Sequence, residues 1–262
     1  MYFKISRQNQ TGNMLAKTCV GICSALPKIF LEPKPLLLER TRLRLFSIIR
    51  REVSRISLFG GFAPDILIWR KSASRQEVVP EMEETVIRMA APTLAGIKTG
   101  SLFPYYYESR EELGKEMGRL NRLLIPRGLR LVLLRMTERS ALLYLYRPSE
   151  LEKDLKDRTA DELLRCAGYP CPNCGACLRH LLKRFHCGEE FPHEIGLFLS
   201  YPPEDVKGFL EDRDNYKSIC LWKIYGDEDR AKRLCARYKK CTECYCRMWK
   251  TGRRLEQLAV AG

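Results

Sequence analysis

The stretch SREELGKEMGRLNRLLIPRGLRLVLLRMTERSALLYLYR, residues 109–147, decides the fold. Ser109 and Glu112 stand three apart as a capping box. Leu113, Met117, Leu120 and Leu124 then recur along one helical face until Pro126 and Gly128 end the run. Two apolar, partly aromatic segments follow, LRLVLLRM (129–136) and SALLYLYR (140–147), joined by the polar Thr137-Glu138-Arg139. That pattern reads as a β-hairpin laid beside an amphipathic helix.

Toward the C-terminus the same grammar continues. Ser149 with Glu152 and Thr159 with Glu162 form two further capping boxes, each opening a short helix, and Gly168 closes the second. HEIGLFLSYP (193–202) reads as a buried strand ended by prolines, with PEDVKGFLED (203–212) as the helix after it. YKSICLWKIYG (216–226) reads as another strand, and Asp227 then caps a long helix reaching about Trp249. The expectation is an α+β domain with a mainly antiparallel sheet of about four strands, one hairpin among them, covered by helices.

This order begins near Met82. Residues 1–80 carry 14 Lys and Arg against 5 Asp and Glu, whereas the rest of the chain carries 32 against 27, so most of the +14 formal charge belongs to the first 80 residues. Residues 1–80 are therefore expected to be a basic, poorly ordered extension, with 81–262 as a single α+β domain. Translation starting at Met82 is an alternative. LLLERTRLRLFSIIRREVSRISLF (36–59) can be drawn as a basic amphipathic helix suited to a membrane surface or an anionic partner. TCVGICSAL (18–26) follows Lys4, Arg7 and Lys17 like a short signal core, yet lacks a small-x-small cleavage site. No run of about 18 apolar residues occurs, which argues against a membrane-spanning helix. Twelve cysteines are not needed as staples in a chain long enough to bury a core, so reduced thiols in a cytoplasm are expected.

Four segments, APTLAGIKTGSLF (91–103), FPHEIGLFLSYPPEDVKGFL (191–210), WKIYGDEDRAKRLCARYKKCTECYC (222–246) and the closing GRRLEQLAV (252–260), resemble an uncharacterised bacterial family, domain of unknown function 3793. The resemblance covers roughly Met82 to Val260 and brings no activity, cofactor or catalytic residue. It implies sulfur at Cys177, Cys241 and Cys246, with Cys171 and Cys174 matching less regularly.

The chemistry-bearing residues form three groups. CPNCGAC (171–177) contains a knuckle-like C-x2-C, and CTEC (241–244) supplies a second pair. Cys171, Cys174, Cys241 and Cys244 thus make a candidate zinc set, with Cys177 and Cys246 as alternates. An iron-sulfur cluster on Cys171, Cys174 and Cys177 with Cys187 or Cys241 ranks below zinc, because the expected following Cys-Pro is missing. Against both, Cys174, Cys177, Leu178, Leu181 and Phe185 share one face of a helix capped by Asn173. Leu234, Tyr238, Cys241, Tyr245 and Met248 share one face of the last helix. Core thiols are the blander reading, and redox or nucleophilic thiols near a helix N-terminus or Lys239 and Lys240 the third.

His193 and Glu194 are residue types used in proton transfer, although neighbours on a strand point to opposite faces. GIKTGS (96–101) lacks the spacing of a phosphate-binding P-loop and no Ser-x-x-Lys accompanies its Lys-Thr-Gly. What survives is a loop able to hold an anion through backbone amides, Lys98, Thr99 and Ser101, or a turn that merely needs two glycines. PYYYES and LWKIYG add aromatics that could stack on single-stranded nucleic acid or simply pack. The expected role is a cytoplasmic binding or regulatory domain whose cysteines ligate a metal or act as redox thiols. The alternatives are an enzyme acting on a small anionic substrate through His193, Glu194 and Lys98, and a nucleic-acid binder with a basic surface.

Overall fold

A computed structural model of the 262-residue chain describes residues 81–187 and 191–262. The extension, the amphipathic helix expected at 36–59 and the run at 18–26 lie outside the described residues. The core of the described part is a three-stranded antiparallel sheet of β1 (Gly100–Tyr106), β2 (Arg130–Met136) and β3 (Ser140–Tyr146) in the order β1-β3-β2. The expected hairpin is β2-β3, with the pairing shifted between Leu133 and Arg135 by a bulge. β3 lies in the centre, and its alternation sends Ala141, Leu143 and Leu145 into one apolar cluster and Tyr144 and Tyr146 into another. The sheet is therefore covered on both faces, which explains the nearly continuous apolar run of that strand.

One cluster is closed by α1 (Met82–Leu94), α2 (Arg110–Leu124), the second half of α8 (Glu228–Lys250) and α9 (Leu255–Leu258). Ser109 caps α2 as expected, its hydroxyl accepting from the backbone N–H groups of Glu111 and Glu112. The other cluster is closed by α3 (Pro148–Asp154), α4 (Arg158–Cys166), α5 (Cys174–Cys187), α6 (Ile195–Phe198), α7 (Pro203–Glu211), a small hairpin β4-β5 (Ser218–Ile219 and Lys223–Ile224) and the first half of α8. Asn173 caps α5 through Ala176 N–H, and Asp227 caps α8 through Arg230 N–H.

Several local expectations are corrected. HEIGLFLSYP is not a strand: residues 195–198 form one helical turn, and the Tyr201 and Leu199 amides both return to the Gly196 carbonyl. A short, wholly apolar run cannot be assigned by periodicity, since a buried helical turn hides all its side chains as well as a buried strand does. YKSICLWKIYG folds back on itself as β4-β5 rather than running straight. The hairpin is held because the Asp205 carboxylate accepts from the Trp222 indole and the Tyr225 and Gly226 amides, each at 2.7 Å. Ser149 and Thr159 are not caps. Pro148 opens α3, where its missing N–H costs nothing, and Asp157 caps α4 through Ala160 N–H. β1 runs through Pro104, which an edge strand tolerates because one of its sides has no ladder partner.

The chain end is locked by Arg147, 2% exposed. Its guanidinium donates to the carbonyls of Thr93 (2.8 Å), Leu94 (2.9 Å) and Val260 (2.7 Å), joining the C-terminus of α1 to the segment after α9. The ends of a helix leave carbonyls without intrahelical partners, and a buried cation satisfies them.

Candidate functional site

Helix α1 ends in a left-handed Gly96 (φ 73°), with the Gly96 amide returning to the Thr93 carbonyl and the Ile97 amide to the Pro92 carbonyl. This turn delivers Lys98 beside two tyrosines from distant segments. Its ammonium lies 5.6 Å from the ring centre of Tyr201, at the foot of α7, and 5.7 Å from that of Tyr238 on α8. Both rings attract the cation through their faces. Among the described residues no carboxylate pairs with Lys98. Burial alone pushes its ammonium down to about 8, and burial likewise raises the phenols of Tyr201 and Tyr238.

The next residue builds the floor of the site. Thr99 donates its hydroxyl to Asp154 Oδ2 at 2.5 Å and its amide to Ser200 Oγ at 2.8 Å, and Ser200 Oγ donates to the same carboxylate oxygen at 3.2 Å. Ser200 adopts φ 57°, a left-handed conformation that costs a serine of order 1 kcal/mol and here aims its hydroxyl at both partners. Desolvation raises the Asp154 carboxyl, against the opposing effect of the two hydroxyl bonds. A lowered lysine and a raised aspartate, the latter bonded to Thr99 next in the chain to Lys98, are the kind of perturbed groups that cluster at functional sites. Tyr201 stacks on Trp222 at 4.7 Å, so the side of the site facing the protein interior is filled.

The anion loop expected from GIKTGS is thus reduced to one free group. Thr99 is engaged with Asp154 and Ser200, and Ser101 Oγ bonds Thr93 Oγ1 inside the core at 2.9 Å. Gly100 serves close packing, since a Cβ there would meet the Tyr144 ring at 2.5 Å and the Phe198 carbonyl at 2.6 Å. Glu194 is buried and accepts from Tyr169 Oη at 2.7 Å and from Arg184 at 2.5 Å. The His193 ring packs against Phe191 and Phe209. Among the described residues neither pairs with Lys98, which meets Tyr201 from that segment. Asp154, Ser200 and Tyr201 escaped the sequence reading as site residues, and Tyr238 was read only as part of the apolar face of the last helix. Only the proline pair after Tyr201 hinted that the chain turns there.

The cysteines divide between the two clusters. Cys171, Cys174 and Cys177 belong to the one around Tyr144, and Cys241 to the one around Leu143. Among the described residues no group of three His, Cys, Asp or Glu side chains could hold a metal ion, so the two C-x2-C pairs do not assemble into the expected zinc set. Cys187 and Cys244 are exposed on their helices, and Cys246 is half-buried. Cys171 and Cys177 do meet, Sγ to Sγ at 3.5 Å. Burial pushes the Cys177 thiol up to about 12 and Cys241 up to about 11, and it raises Cys171 and Cys174 as well. Nucleophilic thiols need the opposite shift. The expectation of reduced cysteines throughout is also corrected, because Cys220 and Cys235 are joined in a disulfide. The aromatic stacking platform fails at its centre, where Tyr107 and Trp222 are buried.

A two-sided antiparallel sheet with helices on each face defines an α+β fold, and a desolvated lysine between two tyrosines is its candidate site. The chain belongs to the family of proteins of unknown function DUF3793, whose model matches residues 86–259. No curated protein and no solved structure matches the chain. Among the described residues no helix is long and apolar enough to cross a membrane.

Proposed function

We propose that residues 81–262 form a binding domain for a small anionic ligand, a carboxylate or a phosphate, held by Lys98 between Tyr201 and Tyr238, with residues 1–80 as an extension to it. The observation that carries this reading is a desolvated ammonium with two aromatic faces and no carboxylate partner among the described residues. An incoming anion supplies the missing counter-charge. Eight free thiols among the described cysteines, against one disulfide, favour a cytoplasmic setting.

Titration calorimetry of the full chain with inorganic phosphate and with acetate, repeated on Lys98→Met, tests it. Binding that is strongest below pH 8, weakens as the lysine loses its proton above that, and vanishes in Lys98→Met supports the reading. No binding of either anion at millimolar concentration, or equal binding by the variant, overturns it. The enzymatic alternative rests on a different observation, the raised Asp154 carboxyl, which accepts the hydroxyl of Thr99, the residue after Lys98. It takes Asp154 as the proton carrier in place of His193.

A further inference from the structure

The helix that places Tyr238 in the site turns a second, unrelated face to solvent. Between Arg230 and Thr242 helix α8 carries six cations and no acid. Arg233, Lys240 and Arg247 recur every seven residues, so they line up along one side of the helix at steps of about 10 Å, with Arg237 beside them. All four are exposed. Arg230 and Lys232 pair with Glu204 and Glu228, whereas these four make no ion pair among the described residues. Two acids of α8 flank the stripe, Asp229 four residues before Arg233 and Glu243 four before Arg247, against its four cations.

We propose that this stripe is a docking surface for the phosphodiester backbone of duplex nucleic acid, bound without regard to sequence. Three features favour a polyphosphate over other anionic partners. A helix adsorbing to a membrane needs its apolar face free, and here Tyr245, Met248 and Trp249 on that face pack into the cluster that holds α1. A protein partner is met through a core of apolar and aromatic residues, and the stripe offers only Ala236 and Cys244 among its cations. Three of the four cations are arginines, whose planar forks match phosphate in two-bond geometry. The surface works through charge alone, so its affinity is set by counterion release.

The test compares full-length wild type with the quadruple variant Arg233→Gln, Arg237→Gln, Lys240→Gln and Arg247→Gln, using anisotropy of a fluorescent mixed-sequence 20-base-pair DNA between 50 and 200 mM salt. A control variant removes four exposed arginines elsewhere, Arg110→Gln, Arg122→Gln, Arg179→Gln and Arg253→Gln. It has the same net charge and keeps the basic residues 1–80. At about 0.9 released counterions per phosphate contact, loss of the stripe lowers the slope of log affinity against log salt by about 3 to 4 and weakens binding more than tenfold at 100 mM salt. The control stays near wild type. Equal losses in the two variants, no loss in the stripe variant, or tighter binding of wild type to poly-glutamate or to vesicles of anionic lipid than to the duplex overturns the proposal. Unchanged far-ultraviolet circular dichroism confirms that the exposed substitutions leave the fold in place.

Discussion

The two clusters on either side of the sheet are built by different means. The one under α1, α2 and α9 is nearly all aliphatic, and its main polar device is Arg147, which ties backbone ends together. The one under α3 to α7 is made mostly of short segments, α5 with its 14 residues being the exception, and several are pinned by a buried or half-buried polar group: Glu194 to Tyr169 and Arg184, Asp205 to the β4-β5 hairpin, Asp154 to Thr99 and Ser200. Long helices such as α1 and α2 bury enough apolar surface to hold themselves, whereas helices of four to nine residues such as α3, α4, α6 and α7 do not. The second face therefore relies more on directed bonds between side chains, and it is there that the Lys98 ammonium lies against two aromatic rings, with no carboxylate pairing it among the described residues.

The comparison is broken most severely at Arg147. Arg147→Ala strands the carbonyls of Thr93, Leu94 and Val260 in the interior and is expected to cost about 4 kcal/mol, read as a fall in urea midpoint. Asp205→Ala removes the acceptor of three N–H donors on the other face. Its expected cost is about 3 kcal/mol, with loss of the near-ultraviolet signal of Trp222. If Asp205→Ala matched a surface substitution instead, the second face would not depend on directed bonds.

Smaller effects sharpen the contrast. Cys220→Ser with Cys235→Ser opens a covalent loop with a sequence separation of 15, at an expected cost of about 2–3 kcal/mol under oxidising conditions and none under reduction. Lys98 predicts a pH signature. Its folded-state value of about 8 lies below the ordinary 10.5, so between these values the unfolded chain holds a proton that the folded chain has released. Stability gained from this group therefore rises with pH from about 8 to 10.5 and is flat below. The raised thiols and phenols pull the other way, so the readout is the difference between wild type and Lys98→Met across that window, about 3 kcal/mol in full. Cys174→Ser, at a half-buried position, is expected to cost under about 1 kcal/mol.

The first face was the more legible in sequence, for the same physical reason that it is the simpler. The period of Leu113, Met117, Leu120 and Leu124, the Ser109 cap and the hairpin are local patterns, and local patterns are what periodicity reports. The Asp227 cap and the Cys177, Leu181 and Phe185 face of α5 were readable on those terms too. The second face depends on pairings such as Thr99 with Ser200 and Trp222 with Asp205, which are distant or unmarked in sequence. Lys98 was picked out by its glycine-rich loop, but its companions could not be. His193 and Glu194 drew notice through residue type, while packing gave them to aromatic contacts and an ion pair.

The most direct test of a ligand site at Lys98 is its titration by nitrogen-detected NMR of the side-chain ammonium, alone and with inorganic phosphate. The account predicts an apparent value near 8 in the free protein, moving upward as the anion binds and supplies the counter-charge. An ordinary lysine value near 10.5 that phosphate and acetate both leave unmoved would contradict it.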